Sequence, residues 1–353
     1  MTRSLAHEIH TVLRQPASST LENLFPFNPG TNPAGPTVSA PFPLPNTTTE
    51  NIIAFVRIPS MHMTPIETGK TGIAVGPTGG ALGAEIRNVD LRRIDGGDFA
   101  VICGAWHDHL VLIFRGQNLT DEDLIVFSRR FGELDWAPVQ ESGRRFVEGH
   151  PEIYVVSNVM ENGVPIGSLG AGEATWHTDM SYLEVPPKAS MLYALEVPAS
   201  GGDTHFNNMY AAYESLPQEL KRRIEGLKLK HDGTYNSGGY VRQGVAAVDD
   251  PMTSPGTYHP LVCTHPDTRR RALYLGRRRN AYIGGLPIAE SESLLDQLWS
   301  YATRPELAWG HKWRPGDLVL WDNRCTMHRR DSFDSGARRV MHRTQIRDEA
   351  APK

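Results

Sequence analysis

The sequence predicts a mainly β protein, a double-sheet jelly roll carrying helices on its outside, and three observations predict it. Strand-length apolar runs recur from residue 188 onward between turn signals, in "SMLYALEV", "HPLVCTH", "RALYLG", "DLVLWD" and "RRVMHRTQI". Two stretches interrupt them with apolar residues at helical spacing, "MYAAYESLPQELKRRIEGL" and "AESESLLDQLWSYAT". The chain has 353 residues and is 39% hydrophobic, enough for a sizeable core. Many short strands with helical insertions suit two packed sheets. No internal repeat is visible.

From the N-terminus, residues 1–62 read as a poorly ordered extension, because "PFNPGTNPAGPTVSAPFPLP" has no periodic core face. Met61 and Met63 follow directly, so an over-called translation start is an alternative account of the extension. Residues 63–353 read as a single domain. "GPTGGALGAEI" lacks the GxGxxG order and reads as tight turns. "LVLIF" (110–114) is of strand length, and "TDEDLIVFSRRFGEL" opens with Thr120 and Asp123 as a capping box before an amphipathic helix. "NVMENGVPIGSLGAGEAT" (158–175) is long and glycine-containing, as expected of a lid that selects substrate.

Composition narrows the function. A formal net charge of −4 argues against a nucleic-acid binder and for small-molecule partners. Cys103, Cys263 and Cys325 are odd in number and widely spaced, which suits a reducing, cytoplasmic setting without a disulfide framework. No apolar run approaches the roughly 18 to 20 residues that cross a bilayer, so no membrane partner is expected. A homo-oligomer stays open, since one sequence shows no interface.

In "ATWHTDMSYLEVPP" a histidine and an aspartate stand two residues apart. In an extended segment such residues share a face, so His177 and Asp179 would share one pocket. HxD alone is weak evidence: among 14 histidines a second pair occurs, His265 and Asp267 in "THPDTRRR", where the proline and the arginines read as an exposed turn. The first pair gains a partner in "WDNRCTMHRRDSFDSGARRVMHRTQI", which puts His328 just after an apolar strand that can hold it rigidly as a third ligand. Two histidines and a carboxylate on one face leave open positions, as in non-haem Fe(II) oxygenases, whereas zinc usually takes a closed tetrahedron or one open site. Iron is therefore favoured.

In "RRVMHR", Arg339 and Arg343 share a strand face about 13 Å apart, where each can grip a separate anion through its planar fork. The alternative is a pair of surface cations on an edge strand. His205 and His342 point to the opposite faces of their strands from Thr204 and from the two arginines. His107 and His109 share a face only if extended, and a structural role is favoured for them. Trp176 and Trp321 read as packing beside the ligand segments, and Cys325, in an expected loop, as incidental. The runs Arg269–Arg271 and Arg277–Arg279 can attract anions, but solvated turns and strand ends explain them equally well.

The motifs "LGAEI", "FRGQ", "FSRRFGEL", "WHTDMSYLEVPP", "GGDT", "THP" and "WDNRCTMH", spread over about residues 70–347, together resemble the taurine dioxygenase and 2,4-dichlorophenoxyacetate dioxygenase family of Fe(II)/2-oxoglutarate-dependent oxygenases. The resemblance implies a double-stranded β-helix, a cupin-like jelly roll, with His177, Asp179 and His328 as iron ligands. It matches Thr204 and Arg339 to the groups that hold the distal carboxylate of 2-oxoglutarate. Arg343 matches the arginine that pairs with the anionic end of the substrate in several members. It further implies O2 as oxidant, succinate and CO2 as products, and hydroxylation of a small anionic substrate of the alkylsulfonate, alkyl sulfate or aryloxyalkanoate type. Ala137 and Glu173 stand where taurine dioxygenase itself has a substrate-binding histidine and an asparagine, so taurine is not the expected substrate.

Two other classes stay in view. One is a non-catalytic, metal-containing jelly roll that binds a ligand without turnover, which would have no need of a 2-oxo-acid anchor such as Arg339 with Thr204. The other is a nucleic-acid or protein demethylase, against which the acidic charge balance weighs.

Overall fold

A computed structural model describes residues 72–138 and 146–353; the extension expected over residues 1–62 lies outside the described residues. The strands that build the site are β1 (Ala74–Pro77), β2 (Ala84–Arg87), β3 (Val111–Phe114), β4 (Tyr154–Ser157), β5 (Ser168–Leu169), β6 (Ala174–His177), β7 (Ala189–Glu196), β8 (Thr204–Asn208), β9 (Ala308–His311), β10 (Leu318–Asp322), β11 (Thr326–Arg330) and β12 (Val340–Ile346). They form an eight-stranded sheet in the order β1-β2-β3-β10-β7-β12-β4-β5 and a four-stranded sheet in the order β9-β8-β11-β6. The large sheet is mixed, with β2–β3 and β4–β5 parallel.

Side-chain alternation decides what each face meets. Along β7, Ser190, Leu192 and Ala194 point one way and Met191 and Tyr193 the other, and all are buried. A strand covered on both faces reads as a continuous apolar run, as "SMLYALEV" does. The face of Leu192, Trp321 and Met341 shares a core with Phe206 of β8 and Met327 of β11. The opposite face, with Met191, Leu320 and Phe114, packs against the helices α1 (Gly96–His109) and α2 (Asp121–Arg129). Each fully buried side chain of this kind stabilises the fold by roughly 1.5–3 kcal/mol. Helices, large sheet and small sheet thus share cores in that order, with the site on the face the two sheets share.

The helices depart from expectation in physically simple ways. α2 begins as predicted, with Thr120 and Asp123 satisfying each other's backbone N–H groups. α1 is not evident in the sequence because "GGDFAVICGAWHDH" carries three glycines; Ile102, Ala105 and Trp106 still give it one buried stripe, and Asp95 with Asp98 caps it. Helical geometry also removes the shared face of His107 and His109. The stretch "MYAAYESLPQELKRRIEGL" splits into α3 (Met209–Glu214) and α4 (Gln218–Ile224) at Pro217, which has no N–H to donate. α5 (Ile288–Ala302) forms as expected. "HPLVCTH" breaks likewise after Pro260, into strands Gly256–Pro260 and Val262–Thr264. Among the described residues no helix is long and apolar enough to cross a membrane.

Candidate active site

Strand register brings the two histidines together. β11 pairs with β6 so that His328 lies opposite His177, and with β8 so that it also lies opposite Phe206. Opposed residues on antiparallel strands point to the same side, and the two imidazole centroids are 4.1 Å apart. Asp179 arrives differently: β6 ends at His177, so the aspartate is placed by the following turn and not by strand alternation. Asn323 holds that turn, accepting the Asp179 N–H at 2.9 Å and donating to the carbonyls of Asp179 and Pro187 at 2.9 and 2.8 Å. Asp179 Oδ1 then lies 3.7 Å from His177 Nε2 and 3.9 Å from His328 Nε2.

The protonation states suit a cation. His177 Nδ1 is 2.7 Å from the Thr175 carbonyl. A carbonyl only accepts, so Nδ1 carries the proton and the Nε2 lone pair faces Asp179. Burial lowers the pKa of His177, and burial together with the neighbouring His177 lowers that of His328 well below the ordinary value, so both rings are neutral at neutral pH. Burial pushes the Asp179 carboxyl up, but the Arg343 guanidinium beside it outweighs that and holds it well below the usual range. Ser190 Oγ donates to Asp179 Oδ2 at 2.9 Å. One donor atom from each of these residues lies within 4.8 Å of the others, so two neutral imidazoles and a carboxylate could hold a divalent metal.

A second cluster, His265, Asp322 and Cys325, is equally tight but differs chemically. His265 Nε2 is bonded to Asp322 Oδ2 at 2.9 Å, and its Nδ1 accepts the N–H groups of Asp267 and Thr268 at 3.2 Å. Both ring nitrogens are committed, which leaves no lone pair for a metal. The exposed turn expected at this HxD pair is thereby corrected: Asp267 is exposed, but His265 is buried and lines a cleft of about 470 Å³ with Arg324 and Lys353. Cys325 is buried as well.

Thr204 and Arg339 meet in the cleft that His177, His328, Arg343 and Trp321 also line. The "GGDT" turn that leads into β8 requires glycine: Gly201 and Gly202 have φ of 74° and 71°, and a Cβ on Gly201 would lie 2.7 Å from the Ser332 carbonyl. Thr204 Oγ1 accepts from Trp313 Nε1 at 2.9 Å, leaving its own proton free to donate. Arg339 is 2% exposed, and its Nε and Nη1 have no hydrogen-bond partner among the described residues. Burial, reinforced by the charge of Arg330, brings its pKa down to about 9. A buried guanidinium without a counter-ion is a site prepared for an anion.

Arg343 stands over the Tyr154 ring at 4.7 Å and donates from Nη1 to Asp179 Oδ1 at 3.1 Å. The edge-strand alternative does not hold, because β12, which carries Arg343, lies between β7 and β4, and Arg339, which falls just before β12 and so is not placed by strand alternation, is buried as well. His205 and His342 face elsewhere, bonded to Asp331 at 2.7 Å and Asp121 at 2.6 Å. Glu173 is exposed, 3.7 Å from Arg329, and Ala137 is a core residue. The segment over 158–175 contains a hairpin of Met160–Glu161 and Val164–Pro165.

Sequence reasoning missed several contributors. Arg330 fastens that same segment, donating to the carbonyls of Leu169 and Gly170 at 3.0 Å and also to that of Gly172. Asn323 and Trp313 lie in segments with no residue pattern to mark their roles, and Ser190 sits in an ordinary strand. The Arg277–Arg279 run divides: Arg278 pairs with Glu292 and Asp296 and Arg279 with Asp249, whereas Arg277 is buried.

Residues 74–345 match the family described as "Taurine catabolism dioxygenase TauD, TfdA family". The chain is 34% identical over 291 residues to (S)-phenoxypropionate/alpha-ketoglutarate-dioxygenase of Sphingobium herbicidovorans, covering 78% of this chain and 96% of that one. It is 34% identical over 286 residues to alpha-ketoglutarate-dependent 2,4-dichlorophenoxyacetate dioxygenase of Cupriavidus pinatubonensis, covering 79% and 99%. The crystal structure of a taurine dioxygenase from Burkholderia xenovorans superposes with a TM-score of 0.65 at 34% identity, covering 79% of this chain and 92% of that one.

Proposed function

The chain belongs to the TauD, TfdA family, and on that premise we propose that it is an Fe(II)- and 2-oxoglutarate-dependent dioxygenase that uses O2 to hydroxylate a small organic anion, giving succinate and CO2. Residues 63–353 are its single catalytic domain, and the eight- and four-stranded sheets are the two halves of a double-stranded β-helix. The observation that carries the reading is a His177, Asp179 and His328 donor set whose two histidines line one cleft with Thr204 and with Arg339, a buried arginine whose Nε and Nη1 have no partner among the described residues.

His177, Asp179 and His328 would hold the metal on one face, and iron bound there supplies the O2 activation and hydrogen abstraction that protein side chains do not. The side chains position and select. Thr175 fixes the His177 tautomer, while Ser190 and Asn323 fix the two ends of Asp179. Arg339 pairs with the distal carboxylate of 2-oxoglutarate, and Thr204, oriented by Trp313, donates its hydroxyl proton to the same group. Arg343 balances the charge of Asp179 and keeps an unpartnered Nε for the anionic end of the substrate. Val156, Leu192 and Trp321 line the cleft and give it a dry wall. Free cysteines throughout the described residues suit a reducing, cytoplasmic setting.

The reading is tested by succinate formation from 2-oxoglutarate in air, with and without 2,4-dichlorophenoxyacetate, 2-phenoxypropionate or an alkyl sulfate. The expected result is Fe(II)-dependent succinate that at least one of these anions stimulates. Folded, iron-loaded protein that forms none would leave a binding protein without turnover as the better account.

A further inference from the structure

We propose that Arg330 is a positioning residue that couples 2-oxoglutarate binding to the docking of residues 158–172 along the cleft: the distal carboxylate of the co-substrate fastens this strap, and the docked strap in turn holds the co-substrate. The proposal rests on the dioxygenase reading and adds to it a link between co-substrate and strap.

Strand register puts Arg330 at the co-substrate end. It lies opposite Thr204 in the pairing of β11 with β8, two residues beyond His328 and so on the same strand face. Arg330, Thr204 and Arg339 line one cleft with both histidines. Packing agrees. Arg330 stands over the Phe333 ring at 5.3 Å, and Gly202 adjoins both Phe333 and Arg339, where a Cβ would lie 3.4 Å from Phe333 Cδ1 and 3.6 Å from Arg339 Nε.

The same guanidinium holds the strap. Its Nη1 donates to the Gly170 carbonyl and its Nη2 to the Leu169 carbonyl, both at 3.0 Å, and Nη2 also donates to that of Gly172. The run it holds is one the chain would not keep unaided, since Leu169 has a φ of 80°, a region that side chains other than glycine rarely adopt. Gly167 packs so closely that a Cβ there would lie 2.5 Å from the Val155 carbonyl, and the Phe333 N–H donates to the Ala171 carbonyl at 3.2 Å. At the other end of the strap, Asn158 Oδ1 accepts the Arg339 N–H at 3.0 Å. Both ends therefore meet the two arginines, while Met160 and Val164 between them are exposed.

Charge supplies the coupling. Three carbonyls occupy the Arg330 fork but do not neutralise it, and among the described residues no carboxylate bears on either guanidinium. Burial brings the pKa of Arg330 down to about 10, so it stays charged at neutral pH beside Arg339. Like charges in a buried cleft repel. An anion at Arg339 and Thr204 relieves that repulsion without taking a donor from the strap. Coupling of this kind is reciprocal, so a co-substrate that steadies Arg330 in its docked position is itself bound more tightly when the strap is docked.

The test is hydrogen–deuterium exchange of the full chain, loaded anaerobically with Fe(II) and read in peptides within residues 158–175. The probes are 2-oxoglutarate and 2-oxopentanoate, which offers a metal the same 2-oxo acid but ends in a methyl group. 2-Oxoglutarate should slow exchange there by about fivefold or more, the lower end of ordinary coupling between two sites, and 2-oxopentanoate by less than about twofold. Arg330→Met loses its charged hydrogen bonds, so without ligand the strap should exchange about tenfold faster than in wild type, and 2-oxoglutarate should no longer slow it. By reciprocity, calorimetry should show its 2-oxoglutarate dissociation constant raised by about fivefold or more, with that of 2-oxopentanoate nearly unchanged. Arg330→Lys keeps the charge but cannot span three carbonyls; it should exchange as fast as the Met variant, and it carries the test if that variant does not fold. Equal slowing by the two probes, or slowing by 2-oxoglutarate in either variant as large as in wild type, overturns the coupling. So does wild-type protein that forms the iron–oxoglutarate chelate with exchange of the strap unchanged. Wild-type protein that forms no chelate overturns the dioxygenase reading, and the coupling with it.

Discussion

Replacing Arg339 with methionine should separate the resting protein from the loaded one. In the free protein the guanidinium is 2% exposed, its Nε and Nη1 are unpartnered among the described residues, and its charged neighbour is Arg330. Each unpaired buried donor costs about 1–3 kcal/mol, so a methionine of similar length removes a penalty from the free protein, and its melting temperature should hold or rise. With 2-oxoglutarate bound, the same nitrogens face a carboxylate. Removing one partner of a buried charged pair costs about 3–5 kcal/mol, which raises the 2-oxoglutarate dissociation constant by roughly 10² to 10⁴. Anaerobic calorimetry of 2-oxoglutarate into iron-loaded protein measures the second effect, and thermal melting of metal-free protein the first. A dissociation constant within about fivefold of wild type refutes the anchor. A melting temperature that drops sharply in the metal-free variant refutes the claim that the arginine is held there unpaired.

Asp179→Ala should leave less than about a tenth of an equivalent of iron bound after gel filtration, because it removes the anionic donor of the set; stoichiometric iron would move the centre elsewhere. Trp313→Phe removes the N–H that orients Thr204 and should raise the 2-oxoglutarate dissociation constant by about 2- to 12-fold, the worth of one neutral hydrogen bond; calorimetry checks it, and no change would mean that Thr204 needs no orientation. Asp322→Asn leaves Arg324 and His265 without their shared carboxylate and should destabilise the fold by about 3–5 kcal/mol at neutral pH. Despite burial, Arg324 and His265 hold this carboxyl below its unfolded value of 3.8. Its contribution is therefore complete above about pH 4 and fades as pH falls through the lower folded value, so the wild-type advantage in melting temperature should shrink on acidification and not on alkalinisation.

Much of the site could be read from residue order because its parts are local. "HTD" and the strand-borne His328 announce a donor set, and the two arginines read as anion sites are both buried, Arg339 just before β12 with two nitrogens unpartnered among the described residues and Arg343 within β12 paired with Asp179. Even there spacing is not sufficient: Asp179 joins His177 through a turn held by Asn323, a contact across 144 residues that no spacing rule contains. Other features were hidden for the same physical cause. His265 looks exposed between Pro266 and the arginines, and its burial depends on Asp322, 57 residues away. In the run Arg277–Arg279 three identical side chains carry no pattern to say which one turns inward. α1 was concealed by its glycines, since propensity spoke against a helix that tertiary packing of Trp106 and Ile102 sustains. Local chemistry is visible in a sequence, whereas long-range burial is not.

The most direct test of the account is an anaerobic titration of Fe(II) and then 2-oxoglutarate into the purified full chain, followed by visible absorption. The account predicts a metal-to-ligand charge-transfer band that saturates at one equivalent of each and disappears in His177→Ala. Folded protein that binds iron but develops no such band, or a band that persists unchanged in His177→Ala, would contradict it.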